Sequence, residues 1–157
     1  MKKLLLTACS LVLLSACGCG HKISNKEGAQ SYGMSSSVPH SVIEELDNKI
    51  GDRVFFDFDS SSLSEKAKQV LDKQSDFMKK HHDLHFVIQG YCDKRGTVEY
   101  NLALGERRAN SVKHYLAKDG VSSHRLTVIS YGKERPAVIG DTEEAFRQNR
   151  RAVTVIK

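Results

Sequence analysis

Short apolar segments alternate with longer amphipathic segments between residues 54 and 156, and this alternation limits the folds that are open to the chain. The runs VFFDF at 54–58 and AVTVI at 152–156 are rich in aromatic and β-branched residues, which predicts buried strands. Apolar residues recur with a helical period over 62–80 and again over 101–118, which predicts two long amphipathic helices. Strands that alternate with helices indicate the α/β class, here an α+β sandwich with the helices packed on one sheet.

Weaker patterns supply the remaining elements. Alternating apolar residues predict strands at 84–91 and 126–131, and helical spacing predicts short helices at 41–50 and 143–149. The predicted sheet therefore has about four strands of mixed direction. The two long helices are expected to connect strands that are parallel neighbours in that sheet.

Polar residues predict where the two long helices begin. Ser62 and Glu65 have the spacing of a capping box, in which each side chain bonds a backbone N–H of the first turn. Asn101 is expected to cap the second helix, and Gly120 lies just beyond its predicted end.

The first sixteen residues are typical of an export signal. Lys2 and Lys3 precede an apolar stretch at 4–14, which is shorter than the roughly 20 residues needed to cross a bilayer. The segment LSAC at 14–17 resembles the lipobox of bacterial lipoproteins. That resemblance implies cleavage before Cys17 and lipidation of its thiol, whereas the alternative is an ordinary signal peptide cut near Ala16.

The resemblance also implies a location. Many bacteria retain a lipoprotein in the inner membrane when Asp follows the lipidated cysteine, and Gly18 stands there in this chain, which implies the outer membrane. Residues 18–40 are rich in Gly and Ser and predict a flexible tether. The predicted organisation is therefore a signal peptide at 1–16, a lipidated N-terminus and tether at 17–40, and one domain at 41–157.

Charge and cysteine content limit the function classes. Loss of Lys2 and Lys3 with the signal lowers the basic residues from 24 to 22 against 19 acidic residues, which leaves a formal charge of +3. This weak basicity suits an anionic surface and does not indicate a nucleic-acid-binding protein. Cys19 and Cys92 remain in an oxidising compartment, where they could form a disulfide or stay as two free thiols.

Two charged residues define a candidate site. Asp93 directly follows the strand predicted at 84–91, at the edge where α/β sheets commonly bind ligands. On a helical wheel with Leu102 at 0°, Arg108 falls at about 240° beside the apolar stripe and Arg107 at about 140° toward solvent. A carboxylate and a guanidinium suit a zwitterionic ligand, although a structural Asp93–Arg108 ion pair explains the same spacing equally well.

The motifs around these residues resemble a known family. The segments GYCDKRG at 90–96 and NLALGERRANSV at 101–112 are similar to the OmpA-like peptidoglycan-binding domain. FFDFD, SYGKERPAV and NRRAV are closer to its lipid-anchored subfamily, the peptidoglycan-associated lipoproteins. The resemblance covers about residues 51–157. Tyr91, Cys92 and Val98 depart from the usual pattern without changing its charges.

The resemblance implies non-covalent binding of the diaminopimelate unit of peptidoglycan, with Asp93 on its ammonium group and Arg108 on its carboxylate. Weaker candidates for the same pocket are Phe56, Asp57, Asn101 and Leu104. No catalytic residue, cofactor or metal is implied. The implied partners are peptidoglycan, the propeller protein TolB and other Tol-system proteins, and the implied role is to tether the outer membrane to the wall from the periplasm, supporting envelope integrity and cell division.

Several other readings remain open. Asp57 and Asp59 would share a face of a continuing strand and, with Asp93, could serve a wall-cleaving hydrolase. A surface-exposed adhesin is another possibility. Arg150 or Arg151 could hold anionic ligand groups or be surface charges. Another group of residues could bind a metal ion, namely His81, His82, His85 and Cys92, although a polar turn explains the histidines as well.

Overall fold

The structure is a computed structural model that describes residues 38–157. The predicted signal peptide, Cys17, Cys19 and most of the tether lie outside the described residues. The helices are α1 (His40–Glu44), which continues as a π-helix (Glu45–Gly51), α2 (Glu65–Lys80), α3 (Val98–Lys118), a 3₁₀ turn (Ser123–Arg125) and α4 (Glu143–Asn149). The strands are β1 (Arg53–Phe55), β2 (Phe86–Tyr91), β3 (Leu126–Gly132) and β4 (Arg151–Ile156).

The four strands form one mixed sheet in the order β1-β4-β2-β3. Strands β2 and β3 are parallel, and β4 pairs antiparallel with β1 and β2. The predicted sandwich of four mixed strands and two long helices is confirmed. Helix α3 connects parallel neighbours as expected, but the same prediction for α2 is wrong because β4 lies between β1 and β2.

Both predicted helix caps are wrong by a few residues. Ser64 caps α2, its hydroxyl accepting the Ala67 N–H at 3.2 Å, and Thr97 caps α3 in the same way. Asn101 lies in the first turn of α3, where its side-chain amide donates to two backbone carbonyls at 2.8 Å each. Four serines lie at residues 60–64 before α2, and the local backbone decides which one caps, whereas α3 is capped one turn before Asn101, at Thr97.

The core lies between the sheet and helices α2 and α3. Its fully buried apolar side chains come from both layers and from the π-helix, and the largest are Leu46, Leu71, Met78, Phe86, Ile88, Val112 and Leu116. Among the described residues, no helix is long and apolar enough to cross a membrane.

A close contact between two glycines places α3 on the sheet. A Cβ atom added at Gly90 of β2 would collide with the carbonyl oxygen of Gly105 in α3, so the two backbones meet where neither residue has a side chain. This contact brings the stretch from Asn101 to Arg108 against the carboxyl end of β2. Asp93 follows β2 two residues later, so the glycine contact sets the position of the site.

Candidate functional site

A pocket of about 150 Å³ opens at the carboxyl end of β2. Four predicted site residues line it, and these are Asp93, Asn101, Leu104 and Arg108. The other two candidates, Phe56 and Asp57, line a neighbouring pocket of about 360 Å³. Arg150 lines both pockets and so forms part of the wall between them.

Helix α3 turns its two adjacent arginines in opposite directions. Arg108 is fully buried, with 0% of its surface exposed, and Arg107 is exposed, which confirms the prediction from the helical wheel. Leu102, the reference point of the wheel, is itself 39% exposed. The buried face is therefore centred on Arg108 and Val112 rather than on Leu102.

The Arg108 guanidinium binds the protein's own backbone. It donates to the carbonyl oxygens of Ser60 at 2.8 Å, Asp57 at 3.0 Å and Tyr91 at 2.9 Å, and to the sulfur of Cys92 at 3.4 Å. These bonds use four of its five N–H groups and leave one on Nη2. Burial lowers the pKa of Arg108 from its usual high value. The side chain thus holds the loop after β1 against the end of β2.

The Asp93 carboxylate is 5% exposed and pairs with two other arginines. Arg95 donates to it from Nη2 at 2.6 Å, from Nε at 3.1 Å and from its backbone N–H, and Arg150 donates at 3.3 Å. Burial alone would raise the pKa of Asp93, but the bonds from Arg95 and Arg150 outweigh it and lower the pKa. Within residues 38–157 no ion pair joins Asp93 to Arg108. The alternative that these two residues form a structural ion pair is therefore wrong.

Neither Arg150, which precedes β4, nor Arg151, its first residue, is a surface charge. Arg150 is 4% exposed and bonds the Phe56 carbonyl, Asp93 and Glu143. Arg151 is buried near the carboxyl end of β2, where its guanidinium lies 3.9 Å from the centre of the Tyr91 ring. The reading of these residues as surface charges is therefore wrong, and Arg150 belongs to the pocket.

Arg95 was missed by the sequence reasoning. It lies two residues after Asp93 in the same loop, which was the available signal, but the direction of its side chain depends on a loop that Gly96 turns with a φ of 89°. Asp59 was considered only as a partner of Asp57. It lines the pocket in a left-handed conformation, with a φ of 54°, and accepts a hydrogen bond from the Tyr100 hydroxyl.

Asp57 and Asp59 do not form the pair of neighbouring carboxylates that the hydrolase hypothesis needs. Strand β1 ends at Phe55, so the predicted shared face of Asp57 and Asp59 is wrong. Asp57 lines the larger pocket and Asp59 the smaller one.

Cys92 is a free, buried thiol at the base of the pocket. Its sulfur lies 3.3 Å from the Asn101 carbonyl oxygen, and burial raises the pKa of the thiol. In the described part of the chain, no three His, Cys, Asp or Glu residues are grouped to hold a metal ion.

Comparisons with known proteins agree on one group. The model of the OmpA family matches residues 55–150. The peptidoglycan-associated lipoprotein of Brucella melitensis biotype 1 is 41% identical over 145 residues, which cover 91% of this chain and 86% of that protein. The protein of the same name from Pasteurella multocida is 39% identical over 153 residues, which cover 98% and 96% of the two chains.

Solved structures show the same fold. The crystal structure of the peptidoglycan-associated lipoprotein from Burkholderia pseudomallei matches with a TM-score of 0.66 and 42% identity, covering 68% of this chain and 90% of that one. The C-terminal domain of Helicobacter pylori MotB matches with a TM-score of 0.63 at 21% identity, covering 68% and 84% of the two chains. At that identity the second match concerns the fold alone.

Proposed function

The chain belongs to the OmpA family and groups with its peptidoglycan-associated lipoproteins, and from this membership we propose that it binds the bacterial cell wall non-covalently. The observation that carries the proposal is the pocket at the carboxyl end of β2. It gathers one buried carboxylate, Asp93, with the guanidinium groups of Arg95, Arg108 and Arg150. Mixed charges around a small cavity suit a zwitterionic ligand better than a purely anionic or apolar one.

The proposed ligand is the diaminopimelate unit of the peptide stem, whose free end carries an ammonium and a carboxylate on one carbon. Asp93 takes the ammonium. Arg108 gives the carboxylate its remaining Nη2 N–H in a single charge-assisted hydrogen bond. A grip by two parallel hydrogen bonds requires Arg108 to give up one present acceptor, either a carbonyl in the loop after β1 or the Cys92 sulfur. Asn101 and Leu104 shape the wall beside it.

The proposed anchor is lipid on Cys17, followed by the tether at 17–40 and the binding domain at 41–157. With the signal peptide at 1–16 removed, the protein sits on the periplasmic face of the outer membrane and links that membrane to the wall. Within the Tol–Pal system its partners are TolB and other Tol proteins, and its role is to support envelope integrity and cell division. Support comes from the lipobox resemblance and the names of the relatives.

Binding without catalysis is the function that the geometry favours over hydrolysis. A general acid in a glycosidase needs a carboxyl group with a raised pKa. The pKa of Asp93 is lowered instead, because Arg95 and Arg150 stabilise its charged form. Asp57 and Asp59 face different pockets.

Co-sedimentation with purified wall sacculi tests the proposal. The full-length protein in detergent is compared with Asp93→Asn and with Asp83→Asn, a matched change at an exposed aspartate before β2. We expect Asp93→Asn to bind at least about tenfold more weakly, since it loses a charge-assisted contact, and Asp83→Asn to bind like the wild type. Undiminished binding by a folded Asp93→Asn protein would refute the site.

A further inference from the structure

The guanidinium of Arg95 fills a slot built for a cation. The slot consists of the carboxylates of Asp93 and Glu143 and the rings of Phe58 and Phe146. The guanidinium carbon lies 4.1 Å from the centre of the Phe58 ring and 4.4 Å from that of Phe146. Its nitrogens lie 2.6 Å from an Asp93 oxygen and 3.7 Å from a Glu143 oxygen. Two aromatic faces and two carboxylates are the surroundings that organic cations prefer.

Arg95 differs from the other two pocket arginines in how firmly it is held. The Arg108 and Arg150 side chains are buried and both donate to backbone carbonyls. The Arg95 side chain is 36% exposed, and its contacts in the slot are with carboxylates and aromatic rings. The Asn101 amide fixes the Arg95 backbone through its carbonyl, at 2.8 Å. The side chain can therefore leave the slot without any movement of the loop.

The charges in the slot are balanced only while one cation occupies it. Asp93 and Glu143 carry two negative charges, which Arg95 and Arg150 face within the pocket, while the exposed Arg147 lies 3.8 Å from Glu143. A ligand ammonium that entered beside Arg95 would meet two arginines that already pair with these carboxylates, and the like charges would repel each other. An ammonium that replaced Arg95 would keep the balance.

We propose that Arg95 is an internal occupant of the ammonium subsite and that a cationic group of the ligand must displace it. The identity of that ligand rests on the proposed function, but the slot and its occupant do not. Because a slot that is filled for nine-tenths of the time weakens apparent affinity about tenfold, Arg95 limits how tightly the protein holds the wall. It also excludes weakly bound cations.

A cation probe tests the occupant without using the wall. Methylguanidinium is titrated into the full-length wild type, into Arg95→Ala, and into Lys94→Ala, which removes the same charge from the neighbouring residue, whose ion pair is with Asp141. The readout is the NMR signal of the Phe146 ring. We expect saturable shifts in Arg95→Ala at millimolar probe and none in the wild type or in Lys94→Ala. Equal responses from all three proteins would overturn the proposal.

Sacculus binding then tests the consequence. We expect Arg95→Ala to bind sacculi on the order of tenfold more tightly than the wild type, with Lys94→Ala unchanged. Unchanged or weaker binding by Arg95→Ala would overturn the proposal, since it would mean that Arg95 is neutral or contacts the ligand itself. If the wild type bound no sacculi, the proposed function would fail, whereas the methylguanidinium titration would still decide whether Arg95 occupies a cation site.

Discussion

The two ends of the parallel pair β2 and β3 each carry an arginine that is removed from solvent and bonded to three backbone carbonyls. At the end where these strands begin, Arg125 is 7% exposed, and its acceptors are the carbonyls of Met78, His81 and Leu84. At the end where they finish, Arg108 is 0% exposed, and its acceptors are the carbonyls of Asp57, Ser60 and Tyr91. The chemistry of the two side chains is nearly the same.

Their surroundings differ. Arg125 binds the last carbonyls of α2 and the chain that leads into β2, so it completes a helix end that would otherwise lack donors. Arg108 lies beside a cavity that also contains Asp93, Arg95 and Arg150. Burial and satisfied hydrogen bonds are therefore common to Arg125 and to Arg108, the arginine that we propose binds the ligand. The charged groups around the cavity are what set Arg108 apart.

The largest effect is expected from Arg125→Ala. The change removes a donor from three carbonyls, of which that of His81 keeps the Leu84 N–H at 3.2 Å, and should lower the free energy of unfolding by about 2–4 kcal/mol. Arg107→Ala should stay within about 0.5 kcal/mol. Urea unfolding measures both. The folded fraction of Arg125→Ala should bind sacculi normally, and loss of that binding would show that the two ends are not independent.

Arg108→Ala tests the buried arginine at the end where β2 and β3 finish. It should weaken sacculus binding at least about tenfold, while Arg107→Ala should change little because its guanidinium is exposed and screened by salt. Arg108→Lys should also bind poorly, since an ammonium cannot reproduce the planar fork. Circular dichroism must first show that each variant is folded. The assignment fails if folded Arg108→Ala binds like the wild type or if Arg107→Ala is the weaker binder.

Lowering the pH should remove the stabilisation that the ionised Asp93 carboxylate gives to the folded protein. The pKa of Asp93 is lower in the folded protein than the value of about 3.9 for an unfolded chain. Its ionised form therefore stabilises the fold above that pH, and this contribution disappears as the pH falls through the folded-state pKa. The difference in unfolding free energy between wild type and Asp93→Asn should shrink below about pH 4. A constant difference from pH 6 to pH 3 would contradict the ion-paired state.

The smallest effect is expected from Cys92→Ser. A hydroxyl can still accept from Arg108 and donate to the Asn101 carbonyl, so sacculus binding should stay within about twofold and stability within about 1 kcal/mol. A large loss of binding would instead make the thiol itself part of the ligand contact.

Local rules predicted the elements and the inward direction of Arg108, because helical periodicity depends only on neighbouring residues. They did not predict the strand order, since nothing local places the last strand between β1 and β2. The residues that line the pocket were likewise predicted only where they depend on local sequence. Because β1 ends at Phe55, Asp59 and not Asp57 lines the pocket that contains Asp93. The direction of the Arg95 side chain depends on a loop whose conformation is set by contacts made across the fold.

In the proposed complex, the pocket binds the zwitterionic end of diaminopimelate through Asp93 and Arg108. An NMR titration with two synthetic stem tripeptides tests it most directly, one ending in meso-diaminopimelate and the other in L-lysine, which keeps the ammonium but lacks the second carboxylate. We expect the diaminopimelate peptide to bind at least about tenfold more tightly and to shift the Nε–H signal of Arg108. Equal affinity for the two peptides, or shifts confined to residues outside the pocket, would contradict it.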